Sequence, residues 1–181
     1  WKDYGVKTLA TMNGRGVVKA PLPYNAQFTP VIDITDPVGG TLIRIETDHV
    51  HGGSDNCIRA EYITRKGRQQ YESLGWMNGD TLYIRYPQES SLTVHSVAFR
   101  ETGYNAEFKG KFHCSDDFVN RFREKALRTL YVNMRDTYFD CPDRERAQWW
   151  GDVTILMGES FYQLSPDANM LTWKAIRELV N

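Results

Sequence analysis

The chain has 181 residues, of which 41% are hydrophobic and 25% are charged, which is the composition of an ordinary globular protein. Its formal net charge of -1 gives no electrostatic reason to expect nucleic acid or an anionic membrane surface as a partner. No apolar stretch of the sequence approaches the roughly 20 residues of a membrane-spanning helix. The chain is long enough to bury a core, either as one large domain or as two small ones.

The first part of the chain, up to about residue 107, has the two-residue period of β-strands. Apolar and polar residues alternate over residues 41–48 and 57–64. Further strands are predicted at 30–35, 69–76, 81–86 and 92–100. Turn residues separate the strands, with residues 36–40 as the strongest signal and Asn78-Gly79 as a predicted tight hairpin. Strands at this spacing predict an antiparallel β-sandwich.

After Phe108 the apolar residues follow the period of helices. A first helix is predicted behind an N-cap at Ser115. Its buried stripe is predicted to comprise Phe118, Phe122, Ala126, Leu130 and Met134. A second helix is predicted to start at Ala147 or Val153 and to end at Leu164, and a third to start at Pro166. The stripe predicted for the third helix comprises Leu171, Ala175, Ile176 and Leu179.

Strands followed by helices predict two domains. We expect a β-sandwich over residues 1–107, incomplete at its N-terminus, and the first helices of a helical domain over residues 108–181. Three helices cannot close a large helical barrel. The chain is therefore expected to be a segment whose partner is the remainder of the same polypeptide.

Residues 140–152 combine several acids, two arginines and a pair of tryptophans. Acids bind sugar hydroxyls and supply protons, while flat aromatic faces stack on the apolar faces of sugar rings. This mixture suits carbohydrate chemistry better than nucleotide, lipid or metal chemistry.

Helix capping would also explain these residues, with Asp143 and Glu145 in a first turn and the tryptophans packed on the sandwich. The spacing points elsewhere. Glu145 and Asp152 are close to two helical turns apart, so a helix would place both on one face. A second carboxylate and nearby tryptophans would raise the pKa of Glu145, as a glycosidase general acid requires, whereas the arginines act in the opposite direction.

The motif Asp-Cys-Pro-x-Arg-Glu at 140–145, followed by Trp-x-Gly-Asp at 149–152, resembles the signature of bacterial α-L-rhamnosidases of glycoside hydrolase family 78. The stretch 130–139 fits that family's lead-in helix and loop, while the resemblance before residue 108 is looser and rests mainly on residues 19–24. The resemblance implies a β-sandwich followed by a catalytic (α/α)6 barrel of the six-hairpin glycosidase type, here incomplete.

The family implies hydrolysis of terminal α-L-rhamnose with inversion. By resemblance, Glu145 matches the general acid, and Asp140 and Asp152 match acids that bind sugar hydroxyls, with Arg144 and Trp149 also in register. An inverting mechanism needs a second carboxylate roughly 6.5–9.5 Å away as general base. In the family this base is a glutamate much later in the barrel, so this chain alone is expected to be inactive.

Trp150 departs from the family pattern, because many members have threonine at this position. A second tryptophan would narrow the sugar pocket or add a stacking platform, so we include Trp150 among the candidate substrate-binding residues. Two alternatives stay open: a non-catalytic carbohydrate-binding or scaffold protein with the same fold, and an (α/α)6 hydrolase for another sugar.

The remaining candidates are expected to be structural. The possible metal ligands Asp48, His49, His51 and Asp55 stand in a glycine-rich segment that reads as a solvated turn. The three cysteines Cys57, Cys114 and Cys141 have neither a disulfide framework nor zinc-ligand spacing. For Trp76 and Tyr71 we expect core packing, with a sugar platform on the sandwich as the alternative. We expect no metal or cofactor, and the sequence leaves open whether this bacterial-type protein is exported or periplasmic.

Overall fold

The computed structural model describes residues 2–49 and 58–180, which divide into two compact units. Residues Asp3–Thr102 form one unit, the sheet unit, without the segment 50–57. Residues 103–180, together with Lys2, form the other, the helical unit. The two domains at 1–107 and 108–181 stay a prediction, because compact packing does not by itself define the bounds of a folding domain.

Within residues 2–49 and 58–180, eight strands form one antiparallel sheet. They are β1 (Lys2–Thr8), β2 (Met12–Gly14), β3 (Val17–Asp36), β4 (Leu42–Thr47), β5 (Ile58–Ile63), β6 (Gly67–Glu72), β7 (Met77–Arg85) and β8 (Thr93–Gly103). Neighbouring strands follow the order β1-β8-β3-β7-β4-β5, with β2 and β6 also paired to β3. The predicted antiparallel β class is therefore confirmed.

The 20-residue strand β3 is the centre of this sheet. Its first half pairs with β2 and β7, and its second half pairs with β6 and β8. Its register with β7 shifts between Pro21 and Ala26, where prolines cannot donate ladder hydrogen bonds. Phe28, Ile32 and Ile34 are fully buried in the core of the sheet unit. The long strand thus joins both halves of the sheet around one core.

The alternation predicted for residues 41–48 is confirmed, because Ile43 and Ile45 of β4 are both fully buried. Tyr71 stacks on Tyr62 with ring centroids 4.3 Å apart, against the same core, as expected. The strand predicted at 57–64 begins with Cys57, which lies outside the described residues, and continues as β5.

The hairpin predicted at Asn78-Gly79 is wrong. Both residues lie inside β7, where Asn78 pairs with Gln27 of β3. A Cβ on Gly79 would lie 2.9 Å from Cβ of Thr47. The close approach of β4 therefore explains why residue 79 is glycine. The chain turns instead at residues 73–76. The strand predicted over residues 69–76 ends earlier, at Glu72 of β6.

The helical unit contains α1 (Asp117–Val132), α2 (Trp150–Gln163) and α3 (Asn169–Val180), the last preceded by a 3-10 turn at Pro166–Ala168. None of the described helices is both long and apolar enough to span a membrane. The N-cap of α1 is Asp116 and not Ser115, because Oδ1 of Asp116 accepts a hydrogen bond from the Phe118 N–H at 2.8 Å.

The predicted stripe of α1 is buried only towards its C-terminal end. Leu130 and Met134 lie in the core, whereas Phe118 and Phe122 are exposed. On α3, Leu171 and Ala175 are buried as predicted, but Ile176 and Leu179 are exposed. The described helices contact one another over only part of their length, and this leaves the rest of each apolar stripe uncovered.

Candidate active site

The loop after α1 is anchored by Tyr138. Its side chain is fully buried, and its hydroxyl lies 3.1 Å from Oγ of Ser160 on α2 and 3.0 Å from Oγ1 of Thr172 on α3. The Phe139 N–H donates to the carbonyl oxygen of Asn133 at 2.7 Å. These bonds tie the loop to α2 and α3 and set the position of the next residue, Asp140.

Asp140 closes the motif loop, defined as residues 140–147. Its N–H donates to the Ala147 carbonyl at 3.0 Å, and its Oδ1 accepts from the Ala147 N–H at 3.0 Å. Within this loop Arg146 has a φ of 50°, in the left-handed region that non-glycine residues rarely adopt. Nε of Arg146 donates to the Pro142 carbonyl at 2.8 Å. Side-chain and backbone bonds together hold a compact and strained turn.

The helix predicted to carry both Glu145 and Asp152 is wrong. Glu145 lies in the motif loop, while Asp152 lies in the first turn of α2, which begins only at Trp150. The left-handed Arg146 and the extended Trp149, with φ -76° and ψ 122°, prevent the helix from reaching back to Glu145. The spacing of the two acids therefore does not place them on one helix face.

Glu145 is held by its neighbour Arg144. The Arg144 guanidinium pairs with Oε1 of Glu145, and the Cys141 thiol lies 3.3 Å from Oε2. The pKa of Glu145 is lowered to about 2, chiefly by the hydrogen bond from Arg144; hydrogen bonds with Cys141 and Asp140 act in the same direction, and burial opposes them. The sequence left the sign of this shift open between the acid and tryptophans on one side and the arginines on the other; in the described residues the arginine prevails, because its guanidinium is in direct contact.

Asp140 and Asp152 are brought together without a shared helix. They line an open pocket of about 130 Å³ with Asn133, Ile155 and Leu156. Glu145 does not line this pocket. However, one carboxylate oxygen of Glu145, one of Asp140 and the Cys141 sulfur all lie within 4.8 Å of one another. Asp140 and Asp152, the two predicted substrate-binding acids, thus share one small cavity, hereafter the acidic pocket. Glu145, the predicted general acid, lies next to Asp140.

The two tryptophans have different environments. Trp149 is 57% exposed, so its ring is accessible to a ligand. Trp150 starts α2 and packs against the core of the helical unit. Arg144, the other residue in register with the motif, is mostly exposed. Of the two rings, that of Trp149 is the better placed for stacking.

Sequence reasoning missed Asn133 and Arg135. Asn133 ends α1 and lines the acidic pocket, although its only sequence signal is its place in the lead-in stretch. Arg135 is half-buried, and this burial lowers the pKa of its guanidinium to about 10. Neither feature follows from local periodicity, because both depend on which residues fold back over the end of α1.

Within residues 2–49 and 58–180, two groups combine side chains of the type that ligate metals: Asp48, His49 and Asp80, and Asp140, Cys141 and Glu145. Of the metal candidates named from the sequence, His51 and Asp55 lie outside the described residues. Oδ1 of Asp48 accepts from the N–H groups of Asp80 at 2.9 Å and Thr81 at 3.0 Å, so it is engaged in holding backbone. In the second group, Arg144 already neutralises Glu145.

Residues 107–179 match the family model of the bacterial alpha-L-rhamnosidase 6 hairpin glycosidase domain. The chain is 34% identical over 53 residues to an alpha-L-rhamnosidase of Formosa agariphila, which covers 29% of this chain and 6% of that protein. It is similar in structure to a GH78 family rhamnosidase of Bacillus sp. GL1, with a TM-score of 0.69, 24% identity and coverage of 82% of this chain and 16% of that one. It is also similar to a rhamnosidase from Klebsiella oxytoca with rhamnose bound, with a TM-score of 0.71, 11% identity and coverage of 85% and 34%.

These findings confirm the resemblance that the motif indicated, with the family match on the helical part of the chain. The solved structures support the predicted fold, a sheet of antiparallel strands followed by helices of a six-hairpin glycosidase domain. The matched family and the named relatives are glycoside hydrolases, which act on carbohydrate. The chain spans only a small part of these relatives, 6% of one and 16% of another.

Proposed function

We propose that this chain is a segment of an inverting glycoside hydrolase that removes terminal α-L-rhamnose from glycans or glycosides. The observation that carries the proposal is the acidic pocket, in which Asp140 and Asp152 meet inside the stretch matched by the rhamnosidase domain. The family match supports the reaction class, and the rhamnose bound to the similar Klebsiella oxytoca structure supports the sugar.

In this proposal Asp140 and Asp152 bind sugar hydroxyls. Ionised carboxylates only accept hydrogen bonds, and bonds from hydroxyl donors to them are short and strong. A neutral sugar supplies such donors, whereas an anionic ligand would be repelled by the same two acids. The exposed ring of Trp149 offers an apolar face for stacking beside them. The site thus favours a neutral sugar over a uronic acid.

Glu145 is the proposed general acid, which must hold a proton near neutral pH to protonate the leaving oxygen. The Arg144 guanidinium keeps the pKa of Glu145 near 2 in the described residues. The proposal therefore requires Arg144 to exchange Glu145 for another acceptor in the complete, occupied site. Arg144 is 64% exposed, so few contacts oppose such a movement.

The test is hydrolysis by the full-length protein of an aryl α-L-rhamnoside and of a natural rhamnoside with a poor leaving group. We expect Glu145→Gln to lower turnover of the natural substrate by roughly 10²–10⁴-fold, because general-acid catalysis contributes about that much. Sugar binding should change little. Glu124→Gln, on the exposed part of α1, is the matched control and should keep wild-type turnover.

Wild-type turnover of the natural rhamnoside by Glu145→Gln would rule out the general-acid role. Turnover of another sugar from an aryl-glycoside panel, with none of the rhamnoside, would keep the hydrolase and reject rhamnose. A preference for another sugar is tested because Trp150 stands where many family members have threonine, and a tryptophan there would change the sugar pocket.

A non-catalytic carbohydrate-binding protein is the second candidate. The lowered pKa of Glu145 favours it, because a carboxylate that is ionised at neutral pH has no proton to donate. This candidate requires that the full-length protein bind sugar without turning it over, in a titration run beside the hydrolysis assay.

A further inference from the structure

The side chain of Asn133 stands out among the buried polar groups of the helical unit. Asn133 is only 7% exposed, yet its Oδ1 is buried and has no hydrogen-bond partner in the part of the chain that the structure describes. Buried polar groups in folded proteins are nearly always hydrogen-bonded, and an unsatisfied one costs free energy. A buried asparagine of this kind calls for a partner that lies outside the described residues.

The hydrogen bonds that hold Asn133 at the end of α1 are made by its backbone and not by its side chain. Its N–H donates to the Leu130 carbonyl at 3.2 Å, and its carbonyl accepts from the Phe139 N–H at 2.7 Å. Its φ of -96° and ψ of 11° lie outside the left-handed region that would favour asparagine. Alanine could make the same bonds in the same conformation, so the carboxamide is not needed to end α1.

The position of Asn133 supplies the missing partner. Asn133 lines the acidic pocket together with Asp140 and Asp152. A carboxamide can accept through oxygen or donate through nitrogen, and rotation about its Cβ–Cγ bond exchanges the two ends. A sugar hydroxyl both donates and accepts, so it can pair with either end of the amide. The two carboxylates, in contrast, bind only the hydrogen of a hydroxyl.

We propose that Asn133 is a third sugar-binding residue, whose carboxamide pairs with one hydroxyl of the same sugar that Asp140 and Asp152 hold. This inference rests on the proposed function, because it takes the ligand of the acidic pocket to be a sugar. The carboxamide adds selectivity for one ring position, and its Oδ1, which has no partner within the described residues, gains one when the sugar binds.

The first experiment compares Asn133→Ala with wild type in the full-length protein, by thermal unfolding and by steady-state hydrolysis of an aryl α-L-rhamnoside. We expect KM to rise about tenfold, as for loss of one hydrogen bond, while Tm in the absence of sugar stays the same or rises. The control is Asn120→Ala. Asn120 donates to the Cys114 carbonyl at 2.8 Å and accepts from its N–H at 3.1 Å, so this variant should lower Tm and leave KM unchanged.

The second experiment uses aryl rhamnosides that lack the hydroxyl at C2, C3 or C4. One of the three should lose about tenfold in kcat/KM with wild type and little with Asn133→Ala, because the variant no longer contacts that hydroxyl. A lowered Tm with unchanged KM for Asn133→Ala would overturn this inference. If Glu145→Gln still abolished turnover, the proposed function would stand. A wild-type protein that bound no sugar at all would overturn both.

Discussion

Arg144 directly precedes Glu145 in the chain, and its guanidinium lowers the pKa of the Glu145 carboxyl group. The covalent neighbour brings a guanidinium into contact with the carboxylate that the motif designates as the acid. A group with a pKa near 2 is ionised at neutral pH. The protonation state of Glu145, and with it the choice between hydrolase and binding protein, therefore depends on where one exposed arginine side chain points.

Arg144→Gln tests this dependence. Because the guanidinium lowers the pKa of Glu145, its removal should raise that pKa. The alkaline limb of kcat/KM follows the general acid, which must be protonated, so it should move to higher pH. The measurement is a pH–rate profile of the full-length protein on the natural rhamnoside. Arg121→Gln, on the exposed face of α1, is the control. Because kcat/KM reports the free enzyme, an unmoved limb in Arg144→Gln would show that Arg144 does not set the pKa of Glu145 in the full-length protein before sugar binds.

At the scale of elements, contacts between strands explain why Asn78-Gly79, which the local sequence predicts to be a turn, lies within a strand. The dipeptide Asn78-Gly79 has the composition of a hairpin turn, yet it lies within β7 between β3 and β4. Asn78 is fully buried there. The glycine is required by the close approach of Thr47, since any larger side chain would enter the space of β4.

Gly79→Ala should therefore destabilise the sheet unit. The added Cβ would lie 2.9 Å from Cβ of Thr47 and 2.9 Å from Oδ1 of Asp48. Overpacking of this kind costs typically about 1–3 kcal/mol in the free energy of unfolding. Denaturant unfolding measures the loss. Gly75→Ala is the control, because its Cβ would have no neighbour within 4 Å, and equal stability of the two variants would contradict the close approach.

At the scale of the whole molecule, the helical unit leaves large apolar side chains uncovered. Phe118 and Phe122 on α1, Phe161 on α2 and Trp173 on α3 are all more than 60% exposed. Exposed apolar surface of this extent marks a face that another part of a protein covers, or a liability to aggregate. The small share of its relatives that the chain spans agrees with the first of these.

The 181-residue chain by itself should associate as its concentration rises. Light scattering after size-exclusion chromatography measures this, and the double substitution Phe118→Ser with Phe122→Ser should reduce it by removing two neighbouring apolar rings. The matched control is Glu124→Ser, which replaces an exposed polar side chain on the same helix. A monomer at every concentration would mean that these rings attract no partner.

The sequence by itself determined that strands precede helices, the alternation of β4 and the identity of the motif residues, but it did not predict β1, β2 or the first half of β3. Periodicity and adjacency along the chain encode these features, so they need no knowledge of distant contacts. It also placed Asp140, Glu145 and Asp152 in one short stretch, from which a carbohydrate site could be inferred.

Only the tertiary structure decided how those residues meet. The left-handed Arg146 separates Glu145 from α2, and the pocket joins Asp140 and Asp152 to Asn133, which lies before the motif. It also decided which part of the α1 stripe is buried. These features depend on side chains that pack and pair across the fold. Local pattern does not encode them, because a single contact from a distant residue changes the free energy as much as the local preference does.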